Sequence, residues 1–152
     1  MTTEGLSVRG VGNVTRLVSD EVFAPPRQYS HASAVAGGVG IVFLAGQIGR
    51  QQNGDVPDST YDQTLQAFAN VALLLSDLET GCSGILKTNI FLTKLAAQEE
   101  FFEARRKKYE EWFPEETYPS STLVVVDGLA DERAHVEIDV VAVLEAAPRV
   151  EV

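Results

Sequence analysis

The residues of this chain best suited to chemistry lie near its C-terminal end. In Val136-Glu137-Ile138-Asp139 two carboxylates alternate with two apolar side chains, so in a strand both acids share one face. If that face lines a cleft, partial desolvation raises the pKa of Glu137 and suits it to general-base work near neutrality. If the face is open, both acids are merely solvated. A second alternating run starts at the hydroxyl cluster Ser120-Ser121-Thr122. No neighbouring His/Asp arrangement is at hand to activate a nucleophile there, so these hydroxyls read as structural. His31 and His135 occupy separate strand-like segments without metal-ligand spacing, and no metal site is expected. Cys82 stands alone, and no Walker-type phosphate loop occurs.

The whole chain sets bounds on these groups. Its 152 residues, 45% hydrophobic and 22% charged, fit one domain with a genuine core. A single cysteine and the absence of a signal-like N-terminus or an apolar span point to a cytoplasmic protein that meets no membrane. A net charge of −10 argues against nucleic acid as a partner, because phosphate contacts draw on Lys and Arg. The basic run EARRKK is bracketed by glutamates and reads as a solvated helix face.

The elements that must position the acids follow from periodicity. Residues 1–12 read as a flexible arm, 13–146 as the single domain, and 147–152 as a tail. VTRLVS (14–19) and YSHASAVAGG (29–38) read as strands, with a proline-bearing loop between them. IVFLAGQ (41–47) is a continuous apolar run, expected to be a buried strand. A helix should start at Ser59, with Asp62 completing an approximate capping box. Tyr61, Leu65, Phe68, Ala72 and Leu75 form its expected apolar face, and Gly81 is expected to end it in a left-handed conformation. ILKTNIFLT (85–93) is β-rich, and a second helix over 96–113 should stop at Pro114. The resulting order, β-β-β-α-β-α-β-β, predicts an α+β fold with two helices on one face of a mostly antiparallel sheet. The other face then needs a cover, and copies of the chain are the natural one.

YSHA, IVFLAGQI, ILKTNIFLT and the closing P-x-x-T-L-V-x-V-x-x-L with VEID resemble the RidA/YjgF/YER family, also labelled endoribonuclease L-PSP or reactive-intermediate deaminase. The resemblance runs from about Tyr29 to Leu144. It implies a chorismate-mutase-like fold and a homotrimer with small-molecule clefts between subunits. It also implies hydrolysis of 2-aminoacrylate-type enamines and imines without metal or organic cofactor. Carried onto this chain, Glu137 and Tyr29 are the expected catalytic groups, and Gly46 and Ala45 lie at the expected backbone donors. Leu123 stands where a small residue is frequent, and Arg106 where an asparagine is frequent. For Gly46, tight strand packing is an alternative that is compatible with a binding role.

The main departure is Ser121, at the place of the arginine that holds the substrate carboxylate in that family. A planar, two-pronged guanidinium pair has no substitute in serine. Hydrogen bonds to charged groups contribute about 1.5–3 kcal/mol, so the loss amounts to roughly 10- to 100-fold in transition-state binding. Weak or absent 2-aminoacrylate deaminase activity is therefore expected unless another cation enters the pocket. Arg106, placed by its spacing on the face of Phe102 and Tyr109, is the first candidate, and Arg50 the second. A surface arginine paired with nearby acids is the plainer reading of each. The expected function is thus a deaminase-like hydrolase of a small metabolite, with a non-catalytic binding trimer as the alternative and a ribonuclease disfavoured by charge.

Overall fold

A computed structural model of the chain describes residues 6–11, 14–19, 25, 27–35, 37–94 and 96–144. The proposed tail, 147–152, lies outside the described residues. Strands β1 (Leu6–Val11), β2 (Val14–Ser19) and β3 (Ala32–Val35) form a three-stranded antiparallel sheet. Strand β1 lies within the segment 1–12 read as a flexible arm, and its backbone pairs with β2 from Leu6↔Ser19 to Val11↔Val14. Hairpin pairing of this kind supplies order that the sparse apolar content of the segment did not announce.

The main sheet has the order β4-β7-β5-β6, built from β4 (Gly40–Ile48), β5 (Ile85–Thr93), β6 (Ser120–Val126) and β7 (Val136–Leu144). Only β5 and β6 run parallel, because helix α2 (Gln98–Trp112) carries the chain back between them. A bridge between Ser30 and Ser120 links the segment before β3 to the edge strand β6. Helix α1 (Thr60–Asp77) and α2 pack on one face of this sheet, as an α+β layer pair requires.

Ser59 caps α1: its hydroxyl accepts from the Asp62 amide at 3.0 Å and donates to the Asp62 carboxylate at 2.8 Å. The buried face of α1 is Thr60, Gln63, Thr64, Ala67, Phe68, Val71 and Leu75, so the core-facing stripe is rotated from the expected one. Tyr61, Leu65 and Ala72 are half-buried at its margin. Gly81 does not end the helix; its backbone is extended, with φ −96°, while Glu79 takes the left-handed turn at φ 55°. Helix α2 stops one residue before Phe113, whose N–H still donates to the Tyr109 carbonyl at 2.8 Å.

Phe68, Tyr109, Phe101 and Phe113 fill the space between helices and sheet, against Ile90, Leu92, Ile138 and Val140. Edge-to-face ring contacts hold the two helices together, Phe68 lying 5.4 Å from Trp112 and 5.9 Å from Tyr109. The other face of the sheet is partly uncovered. Val42 and Leu44 turn to the core, but Phe43 is 77% exposed and Ile41 46% exposed. The expectation of a buried β4 is met only in part: alternate residues are half-buried against the core and none is fully buried. The run is apolar on both faces, yet one chain covers just one of them.

Candidate functional site

Register places Glu137 on the uncovered face of β7. It pairs with Phe91 of β5, and Asp139 pairs with Asn89. Strand β4 completes the site from the other side through a bulge between Leu44 and Gln47, where Ala45 and Gly46 together oppose the single residue Asp139. Gly46 is required by what lies over it: a β-carbon there would stand 1.9 Å from Glu137 Oε1 and 2.7 Å from its carboxyl carbon. The carboxylate therefore rests on the Gly46 backbone, in space that any side chain would fill. The amide of Gln47 folds back to donate to the carbonyls of Ala45 at 2.9 Å and Gly46 at 3.3 Å. Burial and the like charge of Asp139 raise the pKa of Glu137 above the usual glutamate value of 4.5. The alternation in VEID thus places both acids on one face of β7, as expected of a strand.

Gln63, which a sequence reading passes over as an ordinary helix amide, braces both strands of this site. It is 1% exposed and its side chain donates to the carbonyls of Pro57 at 2.7 Å and Arg133 at 3.0 Å. Its carbonyl oxygen accepts from the His135 amide at 2.7 Å, just ahead of β7. Its backbone also lies against Gly49, where a β-carbon would meet Gln63 Cα at 2.5 Å. Loss of these bonds would leave several buried polar groups unpaired. The imidazole of His135 is taken up by Thr60, 2.9 Å away, in keeping with a structural role.

The other expected residues gather elsewhere. Ser121 and Leu123 pair with Thr88 and Ile90, which face the helices, so they point to the opposite side of the sheet from Glu137. The Thr88 hydroxyl donates to Ser121 Oγ at 3.0 Å, and Leu123 packs against the main core. Tyr29 lines a cleft of about 320 Å³ together with Arg16, Arg27 and Tyr118. Within one chain, then, Glu137, Gly46 and Ala45 form one group, Ser121 lies on the other side of the sheet, and Tyr29 lines a separate cleft.

Neither candidate replacement cation turns into the site; both keep the plainer, surface reading. Arg106 is exposed at the rim of a neighbouring cleft, and the inward position on α2 belongs to Arg105, which is 4% exposed. The buried residues run Phe101, Arg105, Tyr109 at intervals of four, which puts Arg106 one step round the helix. Arg50 is engaged by Asp131 at 2.6 Å, and Arg133 grips the same carboxylate at 2.8 Å. These two guanidinium groups hold Asp131 well below the usual carboxylate range.

Comparison with known proteins decides the family. The family model for endoribonuclease L-PSP matches residues 20–144. The chain belongs to the endoribonuclease L-PSP family, the RidA/YjgF group. Among its relatives is a RutC family protein of Aquifex aeolicus, 29% identical over 120 residues that cover 78% of this chain and 90% of the relative. Escherichia coli TdcF, solved with bound serine, superposes with a TM-score of 0.63 at 27% identity, covering 80% of this chain and 90% of TdcF. YyfB of Yersinia pestis, of the conserved Rid protein family, matches at TM-score 0.75 over 86% of this chain and 98% of its own, and at 18% identity speaks for the fold alone. On the β6 edge of this chain, Ser121 carries a hydroxyl that accepts from Thr88. No helix among the described residues is long and apolar enough to cross a membrane.

Proposed function

We propose that this L-PSP family protein binds a small metabolite in a cleft completed by neighbouring copies and hydrolyses an imine- or enamine-type bond in it. The observation that carries the reading is the Glu137 carboxylate seated over Gly46, with its pKa raised by burial and by Asp139. Glu137 takes a proton from water as the oxygen adds to the imine carbon. The same proton is then delivered to nitrogen to give a carbinolamine; its hydroxyl proton passes to nitrogen through the same carboxylate, the C–N bond breaks as C=O forms, and the products are a carbonyl compound and ammonia. A base and water suffice for this sequence, and no cofactor enters it. The exposed Phe43 and Ile41 beside the acids support association, and a homotrimer is the assembly we propose. In that assembly Tyr29 and Ser121 of one copy would meet Glu137 and Gly46 of the next. Serine in TdcF supports a ligand of amino-acid size.

Ser121 leaves the family's carboxylate-binding position without charge, so any carboxylate must be held by other groups. The same loss favours the second reading, a binding module without turnover. Ribonuclease activity fits poorly with a net charge of −10. Ammonia release from a panel of imines and enamines tests the proposal. Turnover by the native protein, lost in a folded Glu137→Gln variant, supports it; equal rates for both proteins refute the role of Glu137, and inertness across the panel favours the binding module.

A further inference from the structure

Arg16 on β2 and Arg105 on α2 are each 4% exposed, yet neither has a carboxylate partner among the described residues. Arg16 donates through Nε to the Thr117 carbonyl at 3.2 Å, and through Nη2 to the carbonyls of Ser83, at 3.3 Å, and Ile85. Its Nη1 has no partner, and neither has Nε of Arg105. Arg105 lies instead among rings, 5.1 Å from the centroid of Phe102 and 5.4 Å from that of Tyr109. Arg27, exposed, stacks 4.2 Å from the centroid of the same Phe102. Arg16 lines the cleft that holds Tyr29, and Arg105 lines its neighbour; Arg27 and Tyr118 border both.

Three guanidinium groups from three elements therefore face one connected depression. Removing a charge from water is expensive, by several kcal/mol for each ion even after relaxation, unless a counter-charge is supplied. Desolvation lowers Arg16 to about 10 and lowers Arg105 as well, with the charge of Arg27 pushing Arg105 the same way. The acids at the margin do not cancel this arrangement. Glu116 borders both clefts and Glu99, Glu103 and Glu110 rim the α2 end, and all four are exposed, whereas Arg16 and Arg105 are each 4% exposed.

We infer that Arg16, Arg27 and Arg105 form a binding site for a small organic carboxylate, seated against Tyr29 and Tyr118. The site restores, from β2, the loop before β3 and α2, the positive charge that Ser121 does not supply. Ser121 lines neither cleft; it is hydrogen-bonded to Thr88 on β5, the strand that packs under Tyr109. The inference extends the proposed function by naming the charge of the ligand and the residues that read it, and it rests on binding alone.

The test is calorimetric titration and thermal shift of the full chain with pyruvate, against pyruvamide as a neutral match of similar shape. Pyruvate should bind and raise the melting temperature, and pyruvamide should do neither. Arg27→Glu alters an exposed side chain and should fold normally while weakening pyruvate at least ~10-fold, the equivalent of one lost charge-assisted contact. Arg105→Leu should act in the same direction if it folds. Equal binding of the two probes, unchanged pyruvate affinity in Arg27→Glu, or no pyruvate binding by the native protein would overturn the inference. Ammonia release is not read here, so a chain that binds pyruvate but turns over nothing keeps this site and loses the catalytic reading.

Discussion

Replacing Gly46 with alanine should separate the stability of this protein from its chemistry. The added methyl carbon would stand 1.9 Å from Glu137 Oε1, 2.7 Å from Cδ and 2.9 Å from Cγ. All three atoms belong to a flexible side chain, so the clash is relieved by rotating the glutamate out of its seat. An off-rotamer or displaced side chain costs about 0.5–1.5 kcal/mol, which at this chain length lowers the melting temperature by only a few degrees. The carboxylate, however, moves by more than an ångström, and misplacement on that scale typically reduces a rate by about 100-fold. Gly49→Ala is the contrast. There the new carbon meets the backbone of Gln63 at 2.5 and 2.6 Å, inside α1, which has no such escape. We expect about 3 kcal/mol or more of destabilisation in that variant, at the upper end for overpacking. Chemical denaturation reports the stabilities, and carbon-detected NMR titration of the Glu137 carboxyl reports its environment without any substrate. In Gly46→Ala the carboxyl should titrate closer to the usual glutamate value of 4.5, because it now lies in water. A Gly46→Ala protein destabilised as much as Gly49→Ala, or one with an unaltered Glu137 titration, would refute the placement of the carboxylate over the bulge.

Three other outcomes follow from the same geometry. Because the folded state raises the pKa of Glu137, its ionisation opposes folding above the usual value of 4.5; Glu137→Gln should therefore be the more stable protein at neutral pH. That advantage should fade in thermal melts as pH falls through the raised value and vanish below the usual one. Phe43→Glu puts a charge on a side chain that is 77% exposed, so it should leave the chain folded but lower the mass of any assembly measured by light scattering; an unchanged mass would remove β4 from any interface. Ser59→Ala deletes the hydroxyl that caps α1 and should cost about 1 kcal/mol, or roughly 2–4 °C in a melting curve.

Much of the architecture was legible without coordinates because it depends on near neighbours along the chain. The alternation in VEID, the Ser59 cap and the β-rich run Ile85–Thr93 each carry their own local rule, and each appears where that rule puts it. The seat of Glu137 was legible in part: a glycine after Ala45 and an acid in the last strand were both readable, but not that one lies on the other. That contact depends on the bulge in β4 and on Gln63, whose polar type says nothing of its burial.

Local rules failed where partners are distant. Arg106 and Arg105 differ by one position on a helix, and only packing against the sheet determines which turns inward. The sequence reading gave Arg16 no role; its burial follows from the folded chain, which brings its guanidinium to the carbonyls of Ser83, Ile85 and Thr117. The sequence by itself thus determined most of the elements, the family and the alternation that puts Glu137 and Asp139 on one face, since periodicity and capping act over a few residues. Only the tertiary structure decided which charges are buried and on which side of the sheet, because desolvation is set by residues that the chain brings together from far apart.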